Sequence, residues 1–266
     1  SLDTEVRSLK ATVLLAGSID IDESDDIVVQ SLVTEDGNIN LTAGGAIVGA
    51  DTQVVDVKAA VLAVSAGGAI TLNTQIDAGR FSTILPGDIR IDEIDAIILN
   101  NVTTFNGSIE IVAGGSMTAS FIATSRDDGN QGINLRTTKG DITLGTMIAG
   151  LHNDVNLRAA GSIVDDGTIS VEVVADELTA VANGPITIDT QVNSVDISTL
   201  VAGDIKLDET DDVTLSKVIT RDGSITVTAG GTIKAALVSS SSDGEIALDT
   251  IPFEFPGRGY IFWPQA

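Results

Sequence analysis

Apolar and polar residues alternate along most of this chain, in short runs that each start just after a glycine. The unit is Gly-x-Ile-x-Φ, where Φ is apolar. It occurs as Gly17-Ser18-Ile19-Asp20-Ile21, Gly37-Asn38-Ile39-Asn40-Leu41, Gly68-Ala69-Ile70-Thr71-Leu72 and Gly107-Ser108-Ile109-Glu110-Ile111. It returns at Gly140, Gly167, Gly223 and Gly244. Alternation with a period of two describes a strand with one buried and one exposed face. Asp or Asn often precedes a corner glycine (Asp36, Asn106, Asp166, Asn183, Asp222, Asp243), which predicts turns with positive φ. Helical periodicity is nearly absent, and even the Ala-rich stretch Val57–Ala66 reads as strand.

A longer repeat contains these units. Residues 17–45, 87–115 and 203–231 read GSIDIDESDDIVVQSLVTEDGNINLTAGG, GDIRIDEIDAIILNNVTTFNGSIEIVAGG and GDIKLDETDDVTLSKVITRDGSITVTAGG, and align without insertion over 29 residues. Asp3-Thr4, Asn73-Thr74 and Asp189-Thr190 each lie 14 residues upstream of these stretches. Blocks therefore begin near 3, 73 and 189, and a fourth start at Asp249-Thr250 breaks off at Pro252. The domain reading is a repetitive unit over 1–250 and a distinct tail over 251–266.

Many short strands with frequent turns also suit a sandwich or barrel. A sandwich, however, places its strands in differing environments and has no reason to keep one pattern. A solenoid does, because every coil meets nearly the same neighbours. The step from Gly17 to Gly37, Gly87 to Gly107 and Gly203 to Gly223 is 20 residues, about one coil. The expected fold is all-β, a right-handed parallel β-solenoid of roughly a dozen coils, and so a rod on the order of 60 Å long at about 4.8 Å per coil.

Composition narrows the function classes. The 266 residues carry 38 acidic and 14 basic side chains, a net charge of −24. That charge opposes binding to nucleic acid and to anionic membrane surfaces, and no apolar run suggests membrane insertion. Aromatics make up 3% against 43% hydrophobic residues overall, so the interior must be built from small aliphatics. The chain has no cysteine.

At the motifs quoted above, residues 3–250 resemble the repeat regions of large secreted bacterial surface proteins, the filamentous-haemagglutinin-like adhesins. The resemblance implies a parallel β-helix with an extracellular structural or adhesive role, at the cell surface or secreted. It leaves host or matrix glycans as candidate partners, and it brings no catalytic residues to carry over.

Acidic corners recur in the blocks: Asp20, Asp22, Glu23 and Asp25 with Asp26; then Asp92, Glu93 and Asp95; then Asp208, Glu209 and Asp211 with Asp212. Clustered carboxylates on a turn are candidate Ca²⁺ ligands. The competing reading is a solvated turn with every acid pointing outward. The second corner has Ala96 where the others have Asp26 and Asp212, so it is the weakest site. No other cofactor is indicated. The chain reads as non-enzymatic: the candidate bases Arg90, Arg126, Arg136 and Lys206 are scattered, and His152 sits in a turn. A sugar-cleaving site would need paired carboxylates in a gripping groove.

The tail gathers Phe253, Phe255, Tyr260, Phe262 and Trp263, five of the eight aromatics, among three prolines. It reads either as a cap on the last coil or as an anchor gripping another copy. Asp3 opens in full repeat register, with no amphipathic helix ahead of it. Contact between unlike ends produces open filaments, so the expected partner is a second copy, associating head to tail.

Overall fold

The structure is a computed structural model that describes residues 2–14, 17–50, 55–168, 171–241 and 243–250. Among these residues there are only strands and turns, and every strand pairing is parallel. The strands stack as a β-solenoid of about 12 turns.

One column of partners shows the winding. From Leu2 it passes through Ile21, Leu41, Val64, Phe81, Val102, Ile122, Met147, Val173, Thr190, Glu209 and Ala229 to Thr250. A lap takes as few as 17 residues (Val64 to Phe81) and as many as 26 (Met147 to Val173). The variation is taken up in the corners, where a loop can lengthen without disturbing the ladder.

The Gly-x-Ile units explain the core. Ile27, Ile47, Ile70, Ile89, Ile109 and Ile133 form one unbroken column. Ile97, Met117, Ile142, Ile163, Ile186, Ile205, Ile225 and Ile246 form another. Branched side chains in register on adjacent laps pack like on like, and each fully buried one contributes about 1.5–3 kcal/mol. One apolar cluster runs through the rod from Ile19 to Ala229. Phe81 lies within it, opposite a gap left by Gly79, where any Cβ would strike its ring.

Some corner glycines have the positive φ that the turn chemistry predicts, and others are there for a different reason. Gly140, Gly167, Gly203 and Gly223 have φ of 80°, 68°, 149° and 154°, whereas Gly37, Gly107 and Gly244 are not in the positive region. At these three, the corner lies directly on the corner one lap below. A Cβ on Gly107 would run into the Gly87 carbonyl, and one on Gly244 into the Gly223 carbonyl. The backbones approach too closely for a side chain, a general use of glycine. The Gly-Gly corners at Gly44 and Gly67 stack the same way.

Replacing Gly107 with Ala should therefore force two laps apart. We expect a loss of about 1–3 kcal/mol in urea unfolding, the usual cost of overpacking. Unchanged stability would show that the corners are looser than described.

Candidate functional site

The acidic corners divide by residue type. Their glutamates turn inward: Glu23, Glu93 and Glu209 are 4%, 3% and 4% exposed. This corrects the expectation that all corner acids face solvent. The alternation continues through the corner strand, so Ile19, Ile21 and Glu23 share one face, as do Ile89, Ile91 and Glu93. The glutamate occupies the last inward position before the turn, where the chain leaves backbone N–H groups without ladder partners. It supplies those partners itself.

Glu93 shows the arrangement. Its Oε2 accepts from the Thr74 hydroxyl at 2.8 Å and the Ile76 N–H at 3.0 Å, and its Oε1 from the Asp95 N–H at 3.2 Å. Glu209 repeats it with the Thr190 hydroxyl at 2.8 Å, the Val192 N–H at 3.0 Å and the Thr210 N–H at 2.8 Å. In the first block, Glu23 accepts from the Val6 and Ser24 N–H groups, each at 3.0 Å. One carboxylate thus joins two laps and ties down its own turn. Burial opposes its ionisation: it pushes Glu93 up to about 8 despite the three donors, with the Asp95 carboxyl adding to the rise. Burial likewise raises Glu209, and it raises Glu172 to about 7.

The outward aspartates are engaged differently. Asp26 Oδ1 accepts the Ala46 N–H one lap above at 2.7 Å, and Asp212 does the same for the Thr232 N–H. Asp88 with Ser108, Asp141 with Ser162, and Asp204 with Ser224 repeat this cap at 2.7–2.8 Å. Where Ala96 replaces the aspartate, that cap is missing. Of the remaining corner acids, Asp20 accepts from Asn40, Asp92 pairs with Arg90 and Asp208 with Lys206. Asp22, Asp25, Asp95 and Asp211 are exposed. Among the described residues no group of three or more His, Cys, Asp or Glu is placed to hold a metal ion.

The three corners also do not form one column. Glu209 lies in the column of Ile21, one inward position from Glu23. Glu93 lies in the column of Ala11, Leu32, Val57 and Thr74. Because lap lengths vary, the block is carried round the axis rather than stacked.

Sequence reasoning missed a second internal device, the buried threonines of the recurring Leu/Val-x-Thr-x-x-Gly stretch. Thr34 donates to the Gly37 carbonyl, Thr104 to the Gly87 carbonyl and Thr220 to the Gly203 carbonyl, at 2.8–2.9 Å. Their shared spacing before the corner glycine was the available signal.

Two outer faces are concave. A groove of about 640 Å³ is lined by Asn40, Thr42, Ser65, Arg80, Ser82 and Asn101. A second, of about 320 Å³, is lined in part by Asn134, Arg136, Asn156 and Arg158. The basic residues that seemed scattered have distinct surroundings. Arg90 pairs with Asp92 and Glu110, Arg126 lies 5.6 Å from the Phe105 ring, and Arg136 stacks in register with Arg158. His152 is exposed in its turn, as expected, and contacts Asp127 at 3.1 Å. The tail residues Phe253, Phe255, Tyr260, Phe262 and Trp263 lie outside the described residues. In comparisons with known proteins, no family model, curated protein or solved structure matches this chain.

The inward glutamates give stability a pH dependence. A carboxyl that titrates near 4.5 when unfolded and about 8 when folded holds a proton in the folded state that the unfolded chain has released. Its contribution is complete below 4.5 and is lost as pH rises towards 8. Melting temperature should fall by a few degrees between pH 5.5 and pH 8. Glu93→Gln, which mimics the protonated form, should flatten that dependence. Glu93→Ala should cost about 1–3 kcal/mol by stranding the Ile76 N–H. A melting temperature that rises with pH, or a Gln variant as pH-sensitive as the parent, would contradict this.

Proposed function

We propose that this chain is a non-enzymatic extracellular structural protein, a β-solenoid subunit of a surface filament or adhesive fibre that assembles end to end. The observation carrying this reading is the state of the final described coil. Ile246 and Leu248 stand in the columns of Ile225 and Val227. They are 44% and 39% exposed, whereas Ile225 and Val227 are fully buried. Each lap of a solenoid presents to the next the same backbone edge and the same apolar columns. A further coil from a second copy would fit that surface as an internal coil does, and strand addition at a sheet edge is a common docking mode. Unlike ends meeting head to tail propagate without closure.

Further support comes from the resemblance of the repeats to secreted surface proteins and from a charge of −24. That charge keeps rods apart sideways and leaves their ends as the favoured contact. In this reading the aromatic tail, with Phe253, Phe255, Tyr260, Phe262 and Trp263, grips the neighbouring copy.

Negative-stain electron microscopy of the full chain over a range of concentrations tests this. We expect fibres many times longer than a single rod of about 60 Å. Ile246→Lys with Leu248→Lys, or removal of residues 252–266, should leave short rods with an unchanged circular dichroism spectrum. Single rods from the unaltered chain at every concentration would overturn the proposal, as would undiminished fibres from both variants.

A further inference from the structure

The second groove holds two arginines in register, Arg136 and Arg158. Its floor is two neighbouring outward columns, two residues apart along each strand. In one, Arg90, Glu110, Asn134, Asn156, Thr179 and Asp196 follow one another in register. In the other, Asp92, Val112, Arg136, Arg158 and Val181 do so. The acids at the ends of these columns are engaged by cations: Asp92 and Glu110 share Arg90, and Asp196 pairs with Lys217 at 2.9 Å. Apart from these acids and Arg90, the seven remaining positions of the two columns carry no negative charge.

Arg136 and Arg158 stand at the centre of this stretch, both exposed. They are in none of the ion pairs found among the described residues. They lie one lap apart, about 4.8 Å, so their charges repel. Asp154, the nearest acid before Arg158 in sequence, sits at the corner just ahead of its strand, where its carboxylate accepts the Glu177 N–H. Both arginines also line a smaller hollow, about 190 Å³, that continues the groove past Thr138 and Asn183. In a chain with 38 acidic residues, two stacked and uncompensated arginines flanked by a ladder of side-chain amides are an unusual concentration of donors.

We propose that this groove binds a linear acidic glycan laid along the rod axis, with carboxylates on successive sugars held by Arg136 and Arg158. A guanidinium offers a planar fork that matches a carboxylate in two parallel hydrogen bonds. Asn134 and Asn156, one lap apart beside the arginines, offer both donors and acceptors to sugar hydroxyls. An acidic peptide would engage the arginines but has no ring of hydroxyls for the amides. The overall negative charge weakens long-range attraction, so binding is to be sought at moderate salt, where distant charges are screened. The inference rests on the lateral face of the rod and is independent of end-to-end assembly.

Fluorescence polarisation with a labelled hexamer of 1,4-linked uronic acid, added to the full chain, tests it. We expect saturable binding that falls at least tenfold in Arg136→Ala with Arg158→Ala. Arg136→Lys with Arg158→Lys should be intermediate, keeping charge but not the fork. Asn134→Ala with Asn156→Ala should weaken the hexamer and leave a glutamate hexapeptide unaffected. Arg80→Ala, in the other groove, should bind normally. Circular dichroism melting confirms that each variant is folded, as expected for outward positions. No saturable binding by the parent, equal binding by the double Ala variant, or equal affinity for the peptide and the glycan would overturn the proposal.

Discussion

The rest of the structure depends on the parallel backbone ladder that joins each lap of the chain to the laps above and below. The ladder imposes one rule: whatever stands at a position must stack against its counterpart about 4.8 Å away. Inward positions therefore favour branched aliphatics that pack on copies of themselves, which is why Ile recurs at Ile70, Ile89 and Ile109. Corners favour glycine, since corner lies on corner with no room for a Cβ, as at Gly107 over Gly87. Outer positions are left free, and that is where charge and shape vary.

Corners are also where the ladder fails, since a turning chain cannot pair every N–H with the next lap. Two kinds of acid repair this. Exposed aspartates such as Asp26 and Asp204 cap the lap above from outside. Buried glutamates such as Glu93 and Glu209 do so from inside, bridging laps through a threonine and a backbone N–H. The inner repair carries a desolvation cost, seen in the raised titration of Glu93. Unsatisfied buried N–H groups would be costly as well. The acidic signature of the repeat is thus largely explained by the backbone it serves. Cation binding is not needed to account for it.

Much of this was legible in the chain. Strict alternation after each glycine located the strands, and the recurrence of residues 17–45 implied stacking in place of a sandwich. Both follow from short-range periodicity, which one sequence can carry. Less legible was anything set by the path between laps. The turn chemistry of Asp36-Gly37 pointed to positive φ, yet Gly37 is needed because the Gly17 carbonyl lies against it. Glu23 looked like one more surface acid until the alternation was followed through Ile19 and Ile21 to its end. The pairing of Arg136 with Arg158 was hidden because the lap separating them is 22 residues long, two more than the step the repeat suggested.

The functional picture follows from the same geometry. A rod of stacked laps has two kinds of surface: ends that can continue the ladder, and sides whose outward columns can be altered without touching the core. In the proposed reading, assembly belongs to the ends and recognition to the sides. Both depend on the winding itself, and pulsed electron paramagnetic resonance tests that most directly. The chain has no cysteine, so spin labels can be placed in pairs from Thr42 to Thr103, Ile148 and Gln191, which lie three, five and seven laps along one outward column. The account predicts separations growing in proportion, about 14, 24 and 34 Å before allowance for the label arms. Separations that do not increase in that order would contradict it.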